Sequence, residues 1–526
     1  MTIGHAAMST VVQSAAAISL VWSTFVYVVQ IIGIYQIFRH HSKPHPKPVS
    51  PTLNDDEVPH ITVIRPVKGV DVGLYDCLAS SFQLAYPRSK LTIYLCVASS
   101  ADPAYEVLRQ VIDDFPGVDA KIMVEEDDPL LHGAHGHVRN LGPNPKIRNV
   151  SRAYREAKGD VIWVVDCNIW TGKHAAGRLV DKMYGYLPGG GRTKPYKFVH
   201  QLPLVVDLEA RDTDERQHLL TDSSQRQAKT AEFGGRVEEM FMSTTHAKFY
   251  SAINTVCIAP CIVGKSNMFR KSHLERFTDP AQNPILSASD AARGTGVDFF
   301  SSYICEDHLI GDLIFRSALP GYLNHGLVFG ETAIQPMSGM SLSAYVARRV
   351  RWLRVRKWTV LLATLVEPGV ESMVCCLHFA FGLTTLQWVH DKFGVPQTWS
   401  TMGAIWLMMM TAWMTVDRIF SGKLHKLQSI EVDEETPFFA RGTARQGGVQ
   451  WRSFWEWLPA WLARELLAVP IWATAVLLGT TVDWRGKRFR VSMDMSVKQV
   501  GGSNDTPAMT PLGSNTPRSR SKDRLD

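Results

Sequence analysis

The stretch Val161-Ile-Trp-Val-Val165, followed by Asp166-Cys167-Asn168, decides how this chain folds. Its apolar residues form a continuous run without alternation, which is typical of a strand buried on both faces of a parallel sheet. A carboxylate directly after such a strand lies at the sheet edge where ligands bind in open α/β folds. We therefore expect Asp166 at the mouth of a binding site.

Further apolar runs and helical patterns surround this stretch. The strands are predicted at Ile61-Thr-Val-Ile64, Leu91–Val97 and Lys121-Ile-Met-Val124, and the helices between them at Leu74–Phe82 and Tyr105–Asp114. Strands that alternate with helices predict an α/β protein with a mostly parallel sheet covered on both faces. Asp102 follows the second strand, so we expect it at the same edge as Asp166.

A basic and aromatic stretch, Arg348-Arg-Val-Arg-Trp352, continues as far as Trp358. As a helix it places four residues on one face: Arg348, Arg351, Trp352 and Val355. Arginine suits phosphate because its planar fork offers paired donors and stays protonated. Two interpretations stay open, a phosphate clamp or a basic collar before a membrane segment. The other cations, Arg354, Arg356 and Lys357, are expected to meet lipid headgroups.

The first apolar segment, residues 11–38, is long enough to span a bilayer. No Lys or Arg precedes it, whereas Arg39, Lys43 and Lys47 follow it. The positive-inside rule therefore predicts a lumenal N-terminus at residues 1–10 and a cytosolic chain afterwards. The length and flanks favour a signal anchor over a cleaved signal peptide.

Three more apolar stretches follow the Arg/Trp stretch, at residues 359–389, 399–416 and 457–482. The first is interrupted by Glu367 and Glu371, and the third contains Arg464 and Glu465. Such residues are either functional at membrane depth or snorkel to the interface, and both readings stay open. Three full crossings would put the basic Trp484-Arg-Gly-Lys-Arg-Phe-Arg490 in the lumen, so the first or third stretch is a candidate re-entrant segment.

The predicted organisation divides the chain into successive regions. They are a signal anchor at 11–38, a Pro-rich linker at 39–59, a cytosolic α/β domain at 60–340 with insertions near 125–141 and 209–235, an interfacial helix at 341–358, a membrane region at 359–491 and a disordered tail at 492–526. The net charge of +6 is too small over this length to indicate nucleic acid, and the bases gather near apolar segments, as expected beside an anionic membrane.

Neither cysteine nor histidine spacing indicates a metal cluster. The eight cysteines contain no CxxC pair, and we expect reduced thiols in a cytosol-facing domain. The histidines His132, His135 and His137 share one loop, but nothing else there completes a ligand set.

Three carboxylates recur at the ends of predicted elements: Asp102, Asp166 and Asp307. Each alone is an ordinary cap or turn residue. Together with the Arg/Trp face they match the needs of transfer from a nucleotide sugar. A divalent cation on a carboxylate and nearby arginines neutralise the diphosphate, and a separate carboxylate deprotonates the acceptor hydroxyl.

The order Asp102, Asp166, Glu306-Asp307 and Arg348-x-x-Arg351-Trp352 resembles the D, D, D, (Q/R)xxRW signature of glycosyltransferase families 2 and 21. Six other segments look like the ceramide glucosyltransferase family, and the resemblance covers about residues 10–491. They are Arg65-Pro-Val-Lys-Gly-Val-Asp71, Asn144-Pro-Lys-Ile-Arg-Asn149, His200-Gln-Leu-Pro203, His246-Ala-Lys-Phe-Tyr250, Gly264-Lys-Ser-Asn-Met-Phe-Arg270 and Trp484-Arg-Gly-Lys-Arg-Phe-Arg490.

The resemblance implies a GT-A fold that faces the cytosol at the Golgi or ER membrane. It implies inverting transfer of glucose from UDP-glucose to the primary hydroxyl of ceramide. Asn168 stands where many GT-A enzymes have a second aspartate, so the implied Mg or Mn on Asp166 would be loosely held or only stimulatory.

The resemblance also implies a role for each site residue. Asp307 would be the general base; Arg348, Arg351 and Trp352 would clamp the diphosphate and shape the acceptor site; Asp102, Lys146, Asn149 and Asp166 would bind the UDP-sugar; His246, Cys261 and Glu306 would lie on the acceptor side.

Three alternatives remain. A polymerising synthase shares the Arg/Trp motif but needs more membrane helices than this chain offers. Another membrane lipid, such as a polyprenyl phosphate or a sterol, would fit the same machinery. A non-catalytic lipid-binding protein on this fold would need no base, which the carboxylate set argues against.

Overall fold

A seven-stranded sheet forms the centre of the computed structural model, which describes residues 10–132, 141–208 and 233–500. Its strands are β1 (Ile61–Pro66), β2 (Leu91–Val97), β3 (Asp119–Val124), β4 (Val161–Val165), β5 (Tyr196–Asp207), β6 (Ser266–Arg270) and β7 (Leu323–Met337). The spatial order is β3-β2-β1-β4-β6-β5-β7. Only β6 among these strands runs antiparallel to its neighbours, so the predicted mostly parallel α/β architecture is confirmed.

The site is positioned by a change of direction in the strand order. The chain builds β1, β2 and β3 outward and then returns to lay β4 on the other side of β1. Ile61 is in register with Leu91 of β2 and with Val161 of β4. A crevice opens beyond the carboxyl ends of strands at such a switch point, so the residues after β1 and β4 face each other there.

Helices cover both faces of the sheet. The helices are α1 (Thr10–His40), α2 (Leu74–Phe82), α3 (Tyr105–Asp114), α4 (Pro129–His132), α5 (Pro145–Arg155), α6 (Ala175–Tyr184), α7 (Phe233–Phe241), α8 (Ala247–Val256), α9 (Lys271–Phe277), α10 (Glu306–Arg316), α11 (Leu342–Arg356), α12 (Leu361–Val366), α13 (Ser372–Thr385), α14 (Gln387–Phe393), α15 (Trp399–His425) and α16 (Phe454–Val476). Successive strand side chains point to opposite faces. Val63 accordingly packs in the cluster with α2, α3 and α6, and Ile64 in the cluster with α5, α9 and α10.

Helix α1 is long and apolar enough to cross a membrane. One stripe of it packs against α8 and α13, while Ile18 and Val21 on the other face are 70% and 71% exposed. The stripe contains Gly33, where a Cβ would lie 2.0 Å from the carbonyl oxygen of Lys248. Glycine therefore lets α1 lie directly against the backbone of α8, and the opposite, apolar face of α1 stays exposed.

The interrupted stretch at 359–389 is bent. The helical segments Leu361–Val370 and Ser372–Thr385 are long and apolar enough to cross a membrane only when taken together, and they meet at an angle of 77°. The predicted span at 457–482 is too long, because its helix ends at Val476 and Thr481–Trp484 forms a strand. The stretch at 359–389 is thus interrupted by polar residues at its bend, and the stretch at 457–482 loses its helical structure after α16.

A second sheet lies at the C-terminal end of the described chain. Strands β8 (Thr481–Trp484), β9 (Lys487–Val491) and β10 (Val497–Gln499) pair antiparallel. Its buried side pairs Phe489 and Val491 with Ile304 and Val355 of the catalytic body. The tail was predicted to begin at residue 492, and that boundary falls inside this sheet.

Other predicted boundaries meet the structure in different ways. The Pro-rich linker is tied to α6, because Asp181 accepts hydrogen bonds from the backbone of Val49 and Ser50 at 2.6 and 2.8 Å. The predicted insertion at 209–235 ends within α7, and its residues 209–232, like His135 and His137, lie outside the described residues. All eight cysteines are free, as expected for reduced thiols.

Candidate active site

A cavity of about 350 Å³ opens beyond the carboxyl ends of β1 and β4. Side chains distant in sequence line it, among them Lys146, Asp166, Lys265, Asp307, Arg351 and Trp352. The switch point of the sheet thus brings predicted carboxylates and the predicted cationic helix together.

Asp166 is held between two lysines. Its Oδ1 lies 3.0 Å from Nζ of Lys146, and its Oδ2 lies 3.2 Å from Nζ of Lys265. Burial opposes the charged form, but the two ammonium groups outweigh it and hold the pKa of Asp166 well below its usual range. The Asp166 carboxylate is therefore ionised and forms ion pairs with both lysines.

Lys146 is positioned by the start of α5. The side chain of Asn144 accepts from the backbone N–H of Lys146 at 2.7 Å, and Pro145 occupies the first helical position. The Lys146 ammonium also lies 3.2 Å from Oε1 of Glu306. Burial disfavours this ammonium, yet the carboxylates of Asp166, Glu306 and Asp307 raise its pKa above the ordinary value. Lys146 is thus the common ion-pair partner of Asp166 and Glu306.

Asp307 lies in the first turn of α10 and faces the cavity. Within the described part of the chain its carboxylate has no hydrogen-bond or ion-pair partner. The backbone of Gly264 passes directly beside it, and a Cβ there would lie 2.6 Å from Oδ2 of Asp307. The Asp307 carboxylate is therefore unpaired. It keeps its position because residue 264 is a glycine, which has no Cβ to displace it.

Gly264→Ala is expected to lower kcat by about 100-fold, because a displacement of about 1 Å in a reacting group has effects of that size. The new methyl would push the Asp307 carboxylate aside, while the fold and donor binding stay intact. Steady-state kinetics and a thermal melt check this. Gly403→Ala is the control, since a Cβ in that helix meets nothing within 4 Å. Unchanged kcat in Gly264→Ala would contradict the account.

The Arg/Trp helix presents Arg348, Arg351, Trp352 and Val355 to the cavity, the face that their spacing predicts. The two arginines differ in their partners. Arg348 lies 3.0 Å from Oε1 of the buried Glu238 and stacks over Trp352 at 4.8 Å. Arg351 has no carboxylate partner among the described residues. Burial and then the charges of Arg348 and Arg485 lower its pKa to about 10, so it is a charged group that lacks an anion.

The expectation that Arg354 and Lys357 meet lipid headgroups is wrong. Arg354 donates to the carbonyls of Thr481, Thr474 and Leu478, so it joins the end of α16 to β8. Lys357 is buried. Arg356 lines the cavity and pairs with Glu367 at 3.0 Å. Arg354 and Arg356 thus bind carbonyl oxygens and an acid of neighbouring segments, and these partners cannot be identified from the sequence of the helix alone.

Two residues assigned to the nucleotide lie behind the cavity. Asp102 accepts from the backbone N–H groups of Gly69 and Ala104, both at 2.9 Å. Asn149 donates to the carbonyl of Cys96 at 2.9 Å, and its Oδ1 is buried without a hydrogen bond among the described residues. Both side chains brace the loops after β1 and β2 that border the cavity.

The three residues assigned to the acceptor are separated. Glu306 lines the cavity but is bound by Lys146 and Asn144. His246 stacks on Tyr250 with ring centroids 5.2 Å apart, and desolvation followed by nearby cations lowers its pKa to about 3. Cys261 directly precedes Ile262, a cavity residue. Only Glu306 of the three therefore lines the cavity.

Sequence reasoning missed three residues of this site: Lys265, Glu238 and Arg485. Lys265 and Arg485 lie in two of the segments that resemble the ceramide glucosyltransferase family, but the resemblance assigned neither residue a role. Glu238 pairs with Arg348 across 110 positions, and no local pattern indicates that pairing.

The oxygen atoms at Asp166 fit a weakly held divalent cation. Oδ1 of Asn168 is buried without a hydrogen-bond partner in the described residues, and Asn168 lines the same cavity as Asp166. Oxygen donors of this kind suit Mg or Mn. The lysines compete for the same carboxylate, and no group of three His, Cys, Asp or Glu residues suits a metal within the described ranges. With few oxygen ligands and two competing lysines, the site would hold a divalent cation firmly only when an anionic substrate is also bound.

A mostly parallel sheet whose carboxyl edge opens on carboxylates and an unmatched cation agrees with the architecture expected from the glycosyltransferase resemblance. The sequence profile "Glycosyl transferase family 21" matches residues 23–210 and 282–497, and the chain belongs to that family. The resemblance stated from the motifs is confirmed.

Curated relatives cover almost the whole chain. A ceramide glucosyltransferase of Pyricularia oryzae is 55% identical over 496 residues, 94% of this chain and 96% of that protein. One of Gibberella zeae is 48% identical over 509 residues, with 94% and 95% covered. One of Komagataella phaffii is 32% identical over 518 residues, 92% of each chain. The family assignment thus rests on the apolar helices of both ends as well as on the α/β body.

Proposed function

We propose that this enzyme transfers glucose from UDP-glucose to the primary hydroxyl of ceramide with inversion, releasing glucosylceramide and UDP. The observation that carries the proposal is the cavity in which the unshared carboxylate of Asp307 accompanies the unmatched cation Arg351. The acceptor class comes from the relatives, whose names are ceramide glucosyltransferase.

Asp307 acts as the general base in this mechanism. It takes the proton from the acceptor hydroxyl as that oxygen attacks the sugar C1 on the face opposite UDP, and this contributes about 10²- to 10⁴-fold to the rate. The bond from C1 to the phosphate oxygen breaks, and its electron pair stays on UDP. Arg351, Lys146 and Lys265 offset the charge that develops on the leaving diphosphate.

The remaining site residues divide between donor and acceptor. Asp102 and Asn149 shape the uridine side, and Arg348 and Trp352 support Arg351 from their positions on the same helix. Asp166 and Asn168 would hold Mg or Mn, which when bound supplies Lewis-acid neutralisation of the diphosphate. Glu306 orients Lys146, and the acceptor side extends toward His246 and Cys261.

The membrane brings the acceptor to the base. We infer that α1 is a signal anchor in the Golgi or ER membrane, with a lumenal N-terminus and a cytosolic catalytic domain. Its exposed apolar face and the exposed side chains of Leu361, Leu362 and Leu365 in α12 support contact with lipid. Ceramide carries its hydroxyl at the interface, so a base next to the interfacial helix α11 lies at the required depth.

The C-terminal tail is expected on the cytosolic side, together with the catalytic domain. Arg485 lines the same cavity as Asp166, so the membrane region between α11 and β8 must return the chain to the side on which it started. The 77° bend between Val370 and Ser372 supports a re-entrant first stretch. Protease added to sealed, cytosol-side-out vesicles should remove an epitope placed after residue 500. A protected epitope would contradict this topology.

The experiment that tests the function uses detergent-solubilised full-length protein, labelled UDP-glucose and C6-ceramide, with separation of the lipids. We expect formation of glucosylceramide that depends on UDP-glucose. Parallel reactions with a polyprenyl phosphate and with a sterol provide the controls. Transfer to one of those lipids and not to ceramide would replace the proposed acceptor, and absence of transfer to any lipid would reject the proposal.

A further inference from the structure

The turn between β8 and β9 reaches the donor cavity with an arginine at its tip. Trp484 pairs with Lys487, so Arg485 and Gly486 form a two-residue hairpin loop. Their φ angles are 52° and 78°, which is the left-handed conformation of a type I′ turn. Asn or Gly is the usual first residue of such a turn, and arginine there is uncommon. The backbone conformation of the turn thus does not favour arginine at position 485, which points to a role for the arginine side chain.

The turn is fixed against the catalytic body by several contacts. Nζ of Lys68, in the loop after β1, donates to the carbonyl oxygen of Arg485 at 2.7 Å. The backbone N–H of Val497 donates to the carbonyl of Ser302 at 2.8 Å. Val482 and Phe489 are buried in one cluster with Ile304. The C-terminal sheet is therefore a fixed wall of the cavity beside the loop that leads to Asp307.

The charges in the cavity show what this wall contributes. Arg348 is paired with Glu238, and Lys146 and Lys265 are paired with Asp166. Arg351 and Arg485 line the same cavity, and neither has a carboxylate partner among the described residues. The Arg485 guanidinium lies over the ring of its own neighbour Trp484, 5.4 Å from the ring centroid.

Two unmatched guanidinium groups repel each other unless an anion joins them. The charge of Arg485 contributes to the lowered pKa of Arg351, so the two groups interact across the cavity. A diphosphate has enough oxygen atoms to accept hydrogen bonds from both, and arginine forks match phosphate geometry. The turn and the Arg/Trp helix together therefore present a phosphate site that neither forms alone.

We propose that Arg485 binds the diphosphate of the nucleotide-sugar donor together with Arg351, so that the C-terminal sheet supplies a residue to the active site. This inference rests on the proposed function for the identity of the donor. When the bond between C1 and the phosphate oxygen breaks, the electron pair stays on that oxygen. Arg485 donates hydrogen bonds to the diphosphate and keeps its own protons.

The test replaces Arg485 by asparagine in the full-length protein. Arg485→Asn removes the cation and creates the Asn-Gly pair that type I′ turns favour, so the hairpin should keep its stability. Calorimetry in neutral detergent should show UDP binding weakened roughly 10- to 100-fold, the scale of losing hydrogen bonds between charged groups. Uridine, which carries no phosphate, should bind as it does to the wild type, and Arg485→Lys should recover part of the affinity for UDP.

Arg488→Ala is the matched control on the same hairpin. Arg488 is exposed and pairs with Asp483 at 3.2 Å, away from the cavity residues. It should bind UDP and transfer glucose like the wild type. Unchanged UDP affinity in Arg485→Asn, or equal losses for UDP and uridine, would overturn the inference.

Two further outcomes separate the possible errors. Phosphate also occurs in anionic lipid headgroups, so the measurements are repeated in nanodiscs of phosphatidylcholine with and without phosphatidylserine. A loss in Arg485→Asn that occurs only with phosphatidylserine would assign Arg485 to the lipid and overturn the inference. A wild-type protein that binds UDP through Arg485 but glucosylates no ceramide would sink the proposed function and leave the diphosphate site standing.

Discussion

Asp307→Asn is expected to abolish turnover, with kcat reduced by roughly 10²- to 10⁴-fold, while UDP-glucose still binds. The amide has the shape of the carboxylate but cannot accept the hydroxyl proton. The carboxylate has no partner in the described part of the chain, so its replacement breaks no hydrogen bond and leaves the fold intact. Single-turnover transfer from labelled UDP-glucose measures the chemical step, and calorimetry with UDP measures donor binding.

Asp312→Asn provides the control on the same helix. Asp312 pairs with Arg316 and is absent from the residues that line the cavity, so its neutralisation should leave kcat near the wild-type value. Both variants lose one negative charge from α10, and only one of them loses the proposed base. Substantial residual activity in Asp307→Asn would remove Asp307 from that role.

Lys146→Met is expected to have the largest combined effect on stability and donor binding. Lys146 is the common partner of Asp166 and Glu306, at 3.0 and 3.2 Å, and its side chain is only 12% exposed. Its removal leaves two carboxylates facing each other with less compensation. Breaking a buried ion pair by removing one partner costs about 3–5 kcal/mol. Thermal unfolding of the solubilised protein should show a clear decrease in Tm, and UDP binding should be lost.

A double variant separates the structural loss from the functional one. Glu306→Gln removes one of the stranded charges and can still accept the hydrogen bond from Nδ2 of Asn144, which lies 3.2 Å from Oε2. Lys146→Met/Glu306→Gln should therefore regain much of the lost Tm without regaining UDP binding. A wild-type Tm in Lys146→Met would show that the ion network contributes little. Recovery of UDP binding in the double variant would show that the ammonium is not needed for the donor.

Buried parallel strands were the elements that the sequence predicted best. The predicted bounds of β2, β4, α2 and α3 agree with those observed. Such strands are covered on both faces, so their apolar runs are continuous and end where a turn or a carboxylate begins. Strand β3 begins at Asp119, two residues before the predicted run, because its first positions are partly exposed and polar.

Strands β5 and β7 were not predicted because their buried positions include polar residues. Gln201 in β5 accepts a hydrogen bond from Ser266 at 2.5 Å, and Glu331 in β7 is paired with Arg178. In each of these side chains one oxygen atom is bound by a partner from a remote segment, which reduces the cost of burying it. The hydrophobic pattern of one segment contains no information about a partner in a remote segment. Neither strand therefore showed the continuous apolar run that is expected of a buried strand.

The order of residues along the chain is enough to show which chemical groups follow each strand or begin each helix. It identified the α/β architecture, the apolar helix α1, and the shared face of Arg348, Arg351 and Trp352, because strand and helix periods are local properties of the chain. Which charges have a partner depends instead on how the chain folds in three dimensions. Arg348 lies against Glu238, whereas Arg351 stays unmatched and Arg485 joins it from a hairpin more than a hundred residues later. Coulomb interactions depend on distance in space, and the fold alone brings those distant segments to one cavity.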